Sequence, residues 1–139
     1  MSAESFLDSN IILYNYMNTE VAKKNLSERL IKRAEHVISA QVIGEVCNNL
    51  RKKLQYTPDE LEGVIEELYV SFNIISVDKN VYLRVPGLLR KYSVSFWDSL
   101  IIAAALDSGC TTLYSEDMQD GLKIDFLTIV NPFNSEQKV

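Results

Sequence analysis

From Leu100 to Leu106 the chain reads Leu-Ile-Ile-Ala-Ala-Ala-Leu, bounded by Phe96-Trp97-Asp98-Ser99 before it and Asp107-Ser108-Gly109 after it. A helix built on this run is apolar almost all round and has no face to offer water. It has to be central, with other elements covering it. The run is far short of the roughly 20 residues that a membrane span requires, so the cover must be protein. A chain of 139 residues, 47% hydrophobic and 24% charged, has the material. Chains of this size bury about two-thirds of their unfolded surface, enough for a core without disulfide or metal staples. No repeat, low-complexity stretch or Gly/Ser/Pro linker divides it, so one domain over 1–133 is expected, with a frayed polar tail over 134–139.

The elements around that helix alternate. Ser5-Phe6-Leu7 is a short apolar strand, and Asp8-Ser9-Asn10 offers N-caps for a helix through Ile11-Ile12-Leu13-Tyr14. A helix is predicted over 20–34, a strand over His36-Val37-Ile38-Ser39, and a helix over 41–54. In the last, Val42, Ile43, Val46, Cys47, Leu50 and Leu54 recur at three- and four-residue spacing. Thr57-Pro58-Asp59-Glu60 opens a helix to about Val70. A β-branched strand over 72–77 and a helix over 78–92 follow, the latter expected to kink or split at Pro86-Gly87. Strands over 111–114 and 127–130 flank the end of the chain. Such alternation predicts an α/β fold, three layers deep, with a mostly parallel central sheet.

Several chemistries are excluded early. Cys47 and Cys110 are isolated from each other, and His36 is the only histidine. No zinc site of usual spacing, disulfide framework, or Ser-His or Cys-His relay is available. The cysteines read as small buried apolar residues. Met1 to Leu7 carries Glu4 and no basic-then-apolar layout, so no signal peptide, and a cytoplasmic setting, is expected. With 19 acidic against 14 basic residues the formal charge is −5 and the pI about 4.9. On charge alone nucleic acid is an unfavoured partner. Any chemistry must rest on carboxylates.

In α/β sheets, sites form at the carboxyl ends of the strands. Asp8 follows the first strand and Asp117 the fourth. Glu45 sits beside Val46 on the margin of an apolar helix face, and Asp98 opens the central helix. Taken singly, each has an ordinary explanation: a helix cap, a surface residue at a face boundary, an acid favoured by the helix dipole, a polar turn. Together they map to one edge of the sheet. Clustered carboxylates repel, and a divalent cation relieves them. Oxygen-only ligands favour hard ions such as Mg²⁺ or Mn²⁺, which support phosphodiester hydrolysis without histidine.

The order Phe6-Leu7-Asp8-Ser9-Asn10, Ile43-Gly44-Glu45-Val46, Phe96-Trp97-Asp98-Ser99-Leu100-Ile101 and Leu113-Tyr114-Ser115-Glu116-Asp117 resembles the PIN-domain ribonucleases, in particular the VapC-like toxins of type II toxin–antitoxin systems. The resemblance spans Phe6 to about Phe133. It implies a PIN-like α/β/α domain, an Mg²⁺- or Mn²⁺-dependent endoribonuclease acting on RNA, a homodimer, and a small antitoxin partner. Asp8, Glu45, Asp98 and Asp117 are then the catalytic, metal-binding acids. Ser115 would orient Asp117 or a water, and Asn10 would hold Asp8. Asp117 is chosen over Glu116 and Asp120 because it completes Ser-x-Asp. Glu116 is then a bystander or a substitute ligand.

Other features are weighed beside these. Arg51-Lys52-Lys53 is either a phosphate-gripping patch or charge matched to a helix C-terminus. Lys23-Lys24 with Arg29, Lys32 and Arg33 reads as a solvated helix face. Ile12, Leu13, Tyr14, Tyr16 and Met17 belong to the core, a dimer contact or an antitoxin groove. Trp97 reads as a packing anchor rather than a base-stacking platform. A phosphoacceptor receiver domain would need paired acids after the first strand and a Lys near the end of the fifth. The chain has Asp8-Ser9-Asn10 and Asn131-Pro132 there. A non-catalytic PIN-like module that binds RNA or protein is the alternative. Two bound divalent ions would bring the formal charge to about −1, so the acidic balance becomes a cation site rather than an argument against RNA.

Overall fold

The first strand, β1 (Ser5–Leu7), lies in the middle of a six-stranded sheet of order β3-β2-β1-β4-β6-β5. β2 (His36–Ser39), β3 (Asn73–Ile75), β4 (Thr112–Tyr114) and β6 (Leu127–Val130) join it in parallel, as the alternation predicts. The computed structural model describes residues 5–134. The expectations for residues 1–4 and for the tail beyond 134 lie outside them.

The helices are α1 (Ser9–Leu13), α2 (Val21–Arg33), α3 (Ala40–Leu54), α4 (Pro58–Ser71), α5 (Lys79–Lys91) and α6 (Phe96–Asp107), with a 3₁₀ turn at Tyr14–Tyr16. The chain steps outward from β1 to β2 to β3, then returns past β1 to β4. Right-handed crossovers place α1–α4 on one face and α5 and α6 on the other. The packing divides the same way: α1 and α4 lie on α3, and α5 lies on α6. The result is the expected α/β/α layering around a mostly parallel sheet. Among the described residues no helix is long and apolar enough to cross a membrane.

Local chemistry sets the boundaries. Thr57 and Glu60 form a reciprocal capping box at α4, with Pro58 at the first turn. α6 stops in a Schellman motif: Cys110 N–H donates to Ala105 O at 3.1 Å and Gly109 N–H to Leu106 O at 3.1 Å. Gly109 takes φ 78, which glycine adopts without Cβ strain. As its composition demands, α6 is buried from Ser99 through Leu106. The lone histidine is structural, buried between Ser5 Oγ and Leu30 O.

Two expectations are corrected. α5 does not split at Pro86-Gly87 but runs from Lys79 to Lys91 as one helix. Pro86 and Tyr82, the carbonyl of which loses its partner, both face solvent, while Val81, Val85 and Leu88 are buried. Their packing, with water on the other face, outweighs the proline penalty of about 3 kcal/mol. A strand absent from the sequence reading, β5 (Lys123–Ile124), pairs antiparallel with β6 across a tight turn at Asp125-Phe126. Two residues are too few to show a period of two.

Ile102 has no exposed surface and sits in the middle of α6. Ile102→Ala is expected to lower stability by about 3 kcal/mol, read as an earlier urea midpoint with an unchanged slope.

Candidate active site

Asp8 stands where the sheet reverses direction. Its N–H donates to Tyr114 O at 3.0 Å, extending the β1–β4 ladder by one residue. It then leaves the strand with φ −74 and ψ 159 and caps α1, Oδ1 accepting from Ser9 N–H at 2.8 Å. Oδ2 accepts from Ser115 Oγ at 2.8 Å and from Asn10 Nδ2 at 3.4 Å. The residue is only 5% exposed. Such a carboxylate is costly unless donors surround it.

The donors also tie this corner to the turn after β4. Buried Ser115 Oγ accepts from the N–H groups of Asp117 and Met118, each at 3.3 Å. Asn10 Oδ1 accepts from Glu116 N–H at 3.1 Å, and its Nδ2 donates to Asp117 Oδ2 at 3.0 Å. Asn10 and Ser115 thus hold Asp8 and Asp117 in one framework.

Two helices bring the other acids. Ser39 ends β2 and caps α3, its Oγ accepting from Val42 N–H at 3.4 Å. Half-buried Glu45 lies one turn further on. Gln41, at i−4 on the same face, donates from Nε2 to Glu45 Oε2 at 2.9 Å and to Trp97 O at 3.3 Å. That second bond crosses from α3 to α6 over the end of the sheet. Ser95 caps α6 by accepting from Asp98 N–H at 3.0 Å, leaving the Asp98 carboxylate half-buried at the first turn. Asp98 and Asp117 line one cleft of about 380 Å³ with Lys91, Tyr92, Ser95 and Gln119.

The acids act on one another. Burial pushes the Asp8 carboxyl up from 3.8 to about 6; hydrogen bonds from Ser115 and Ser9 pull against that, and the charges of Glu45 and Asp98 add to it. Asp98 is also raised, by burial first, then by Asp117 and Glu45, with the Ser95 hydrogen bond opposing. Among the described residues the only ion pairs are Lys23–Glu116 and Arg84–Asp107, so no Lys or Arg neutralises these four acids. Nor, among the described residues, do three His, Cys, Asp or Glu side chains already stand as a closed metal-binding group. All the donors are carboxylate oxygens, the ligand type that Mg²⁺ and Mn²⁺ prefer.

The remaining sequence-based residues fall elsewhere. The Glu116 carboxylate takes Tyr14 OH at 2.6 Å and pairs with Lys23, so its side chain is neither a bystander nor directed at the acids. Lys23 likewise leaves the solvated face to lie over the Tyr14 and Phe133 rings. Asp120 accepts from Asn131 N–H at 2.8 Å and from Asn134, tying the loop before β5 to the segment after β6. Arg51 donates to Tyr56 O at 2.9 Å, helping to end α3, while Lys52 and Lys53 are exposed about 11 Å along the helix from Glu45. Cys110 is buried as expected, but Cys47 only partly. Trp97, read as a packing anchor, is 60% exposed. The hydropathy of Phe96-Trp97 could not reveal that, because the first turn of α6 projects past the sheet. Gln41 was missed, although its i−4 spacing from Glu45 was visible in the sequence.

The Asp8 shift has a stability consequence. A raised carboxyl binds its proton more readily in the folded chain, so this group favours folding below pH 4 and loses that contribution as pH rises through about 6. Asparagine keeps an acceptor for Ser9 N–H without the buried charge. In chelator at pH 7, Asp8→Asn is expected to be more stable than wild type by about 3 kcal/mol, with the gain vanishing near pH 4. Thermal melts across pH 4–8 measure it.

A family model for the PIN domain matches residues 5–122. Among curated proteins none matches this chain. Solved structures with the same fold include a toxin–antitoxin complex from Klebsiella pneumoniae, with 20% identity and a TM-score of 0.71 over 94% of this chain and 98% of that one. Mycobacterium tuberculosis VapC20, described as a sarcin–ricin loop cleaving toxin, gives 16% identity and a TM-score of 0.66 over 88% and 92%. FitAcB from Neisseria gonorrhoeae gives 16% and 0.67 over 94% and 99%. With the match running from β1 to the turn after β4, across every acid of the cluster, the chain belongs to the PIN-domain family.

Proposed function

We propose that this chain is an Mg²⁺- or Mn²⁺-dependent endoribonuclease and the toxin of a toxin–antitoxin pair, working in the cytoplasm as a homodimer restrained by a small antitoxin. The observation that carries the nuclease reading is the gathering of Asp8, Glu45, Asp98 and Asp117 at the reversal of the sheet, with no ion pair to any of them among the described residues. The toxin role draws support from structural neighbours described as toxin–antitoxin complexes.

The four acids would hold the cation, which when bound supplies Lewis-acid chemistry to a phosphodiester. The chain's own residues do the rest. Ser115 keeps Asp8 Oδ2 turned toward the loop of Asp117, and Asn10 sets the spacing of Asp8 and Asp117 through one amide. Gln41 steadies Glu45. Lys91, on the cleft shared by Asp98 and Asp117, offers a positive charge to a phosphate, and Lys52 and Lys53 offer two more along α3.

Purified protein is expected to cut single-stranded RNA with Mn²⁺ and to stop in EDTA. Residues that merely orient metal ligands cost about 10–100-fold when removed, so Ser115→Ala should lose that much and Asp98→Asn at least as much. Saturating Mn²⁺ at about 100 times its dissociation constant should stabilise the wild type by about 2.7 kcal/mol and leave Asp8→Asn unmoved. Equal cleavage in EDTA would overturn the metal requirement. Mn²⁺ binding without cleavage of any RNA would favour a binding module.

A further inference from the structure

Trp97 is the single tryptophan of the chain, and 60% of it is exposed beside the acid cluster. Its main chain is fixed: it lies in the first turn of α6, and its carbonyl accepts from Gln41 Nε2. Its ring is braced by edge-on contact with Phe96 at 5.1 Å between centroids and 88° between planes. The rest of the ring borders two open clefts. One, of about 320 Å³, is lined by Gln41, Gly44, Glu45, Asn48 and Trp97. The other, of about 360 Å³, contains Val77, Tyr82 and Leu100. A large, held, uncovered aromatic face thus stands directly against a groove that contains one of the acids.

The opposite wall supplies an independent observation. Gly44 lies inside α3, where glycine is less favourable than alanine. Its backbone is helical, without positive φ, and a Cβ there would meet nothing within 4 Å. Neither conformation nor packing requires glycine, and its effect is a flat floor facing Trp97. Beyond it, Gln41, Asn48 and Lys52 lie within about 40° of one another around α3, a polar row ending in an exposed cation.

We propose that Trp97 is a substrate-positioning residue that stacks on one unpaired nucleobase seated over Gly44, the strand then running past Glu45 toward Lys52. This rests on the ribonuclease reading. Aromatic stacking suits single-stranded RNA because every base has a π-face, and it is closed to a paired base.

Because Trp97 is alone, its emission reports only that ring. Mixing with a single-stranded RNA 12-mer is expected to quench it, and an abasic oligomer of equal length is not. Trp97→Ala should raise KM for RNA about tenfold with kcat changed far less, and Trp97→Phe should restore most of the loss. Gly44→Leu should melt about 3 °C higher yet show the raised KM, which separates a blocked groove from a damaged fold. If RNA is cut with unchanged KM by Trp97→Ala and emission does not respond, the stacking role is overturned and the nuclease stands. If wild type neither cuts nor binds RNA, both fall. A blue shift of emission with rising protein concentration and no RNA would mean that a second copy covers the ring, and would also overturn the proposal.

Discussion

A carboxylate buried where the sheet reverses direction is the constraint around which this molecule is arranged. Asp8 leaves β1 between two strands whose connections depart to opposite faces. That geometry opens a crevice at the strand ends, and Asp8 lies at its floor. The burial cost is partly offset by donors: the Ser9 amide, the Ser115 hydroxyl and the Asn10 amide. These three also fix the start of α1 and the turn after β4, so the structural solution to one buried charge is what places Asp117 beside it.

The two helical layers contribute one acid each. α3 starts directly from β2 and α6 from a capped turn, so Glu45 and Asp98 arrive within two turns of helix N-termini. Helix N-termini favour negative charge, yet Asp98 is still raised by burial and by its neighbours. Among the described residues no Lys or Arg forms an ion pair with these acids, and Lys23 is committed to Glu116. The fold thus maintains a local excess of negative charge at this corner of the sheet. The Gln41 amide, reaching across the sheet to Trp97 O, couples the two layers at that spot.

Much of the fold was legible because burial leaves a compositional trace. The Leu100–Leu106 run demanded cover on all sides and is buried throughout. The α3 periodicity and the Thr57-Pro58 cap gave helices close to their observed limits. Legibility failed where tertiary packing overrode local propensity, as at Pro86 within α5, or where an element was too short to have a period, as at β5. In the site, the acids and their order were visible as residue types. The partners of Glu116, Asp120 and Lys23 were not, since hydrogen bonds such as Tyr14 OH to Glu116 join positions far apart in the chain.

By itself, then, the sequence determined the alternation of strands and helices, the central apolar helix and the supply of carboxylates at element ends, because hydrophobic periodicity and capping are local properties. Only the tertiary structure decided which acids share a field, which are diverted into Lys23 or the loop of Asn131, and which aromatic ring is left in water. Those outcomes depend on the sheet order and on which helix ends meet above it. Trp97 shows the difference plainly: a residue that reads as core from its neighbours is held at the surface, beside the acids, by the turn that begins α6.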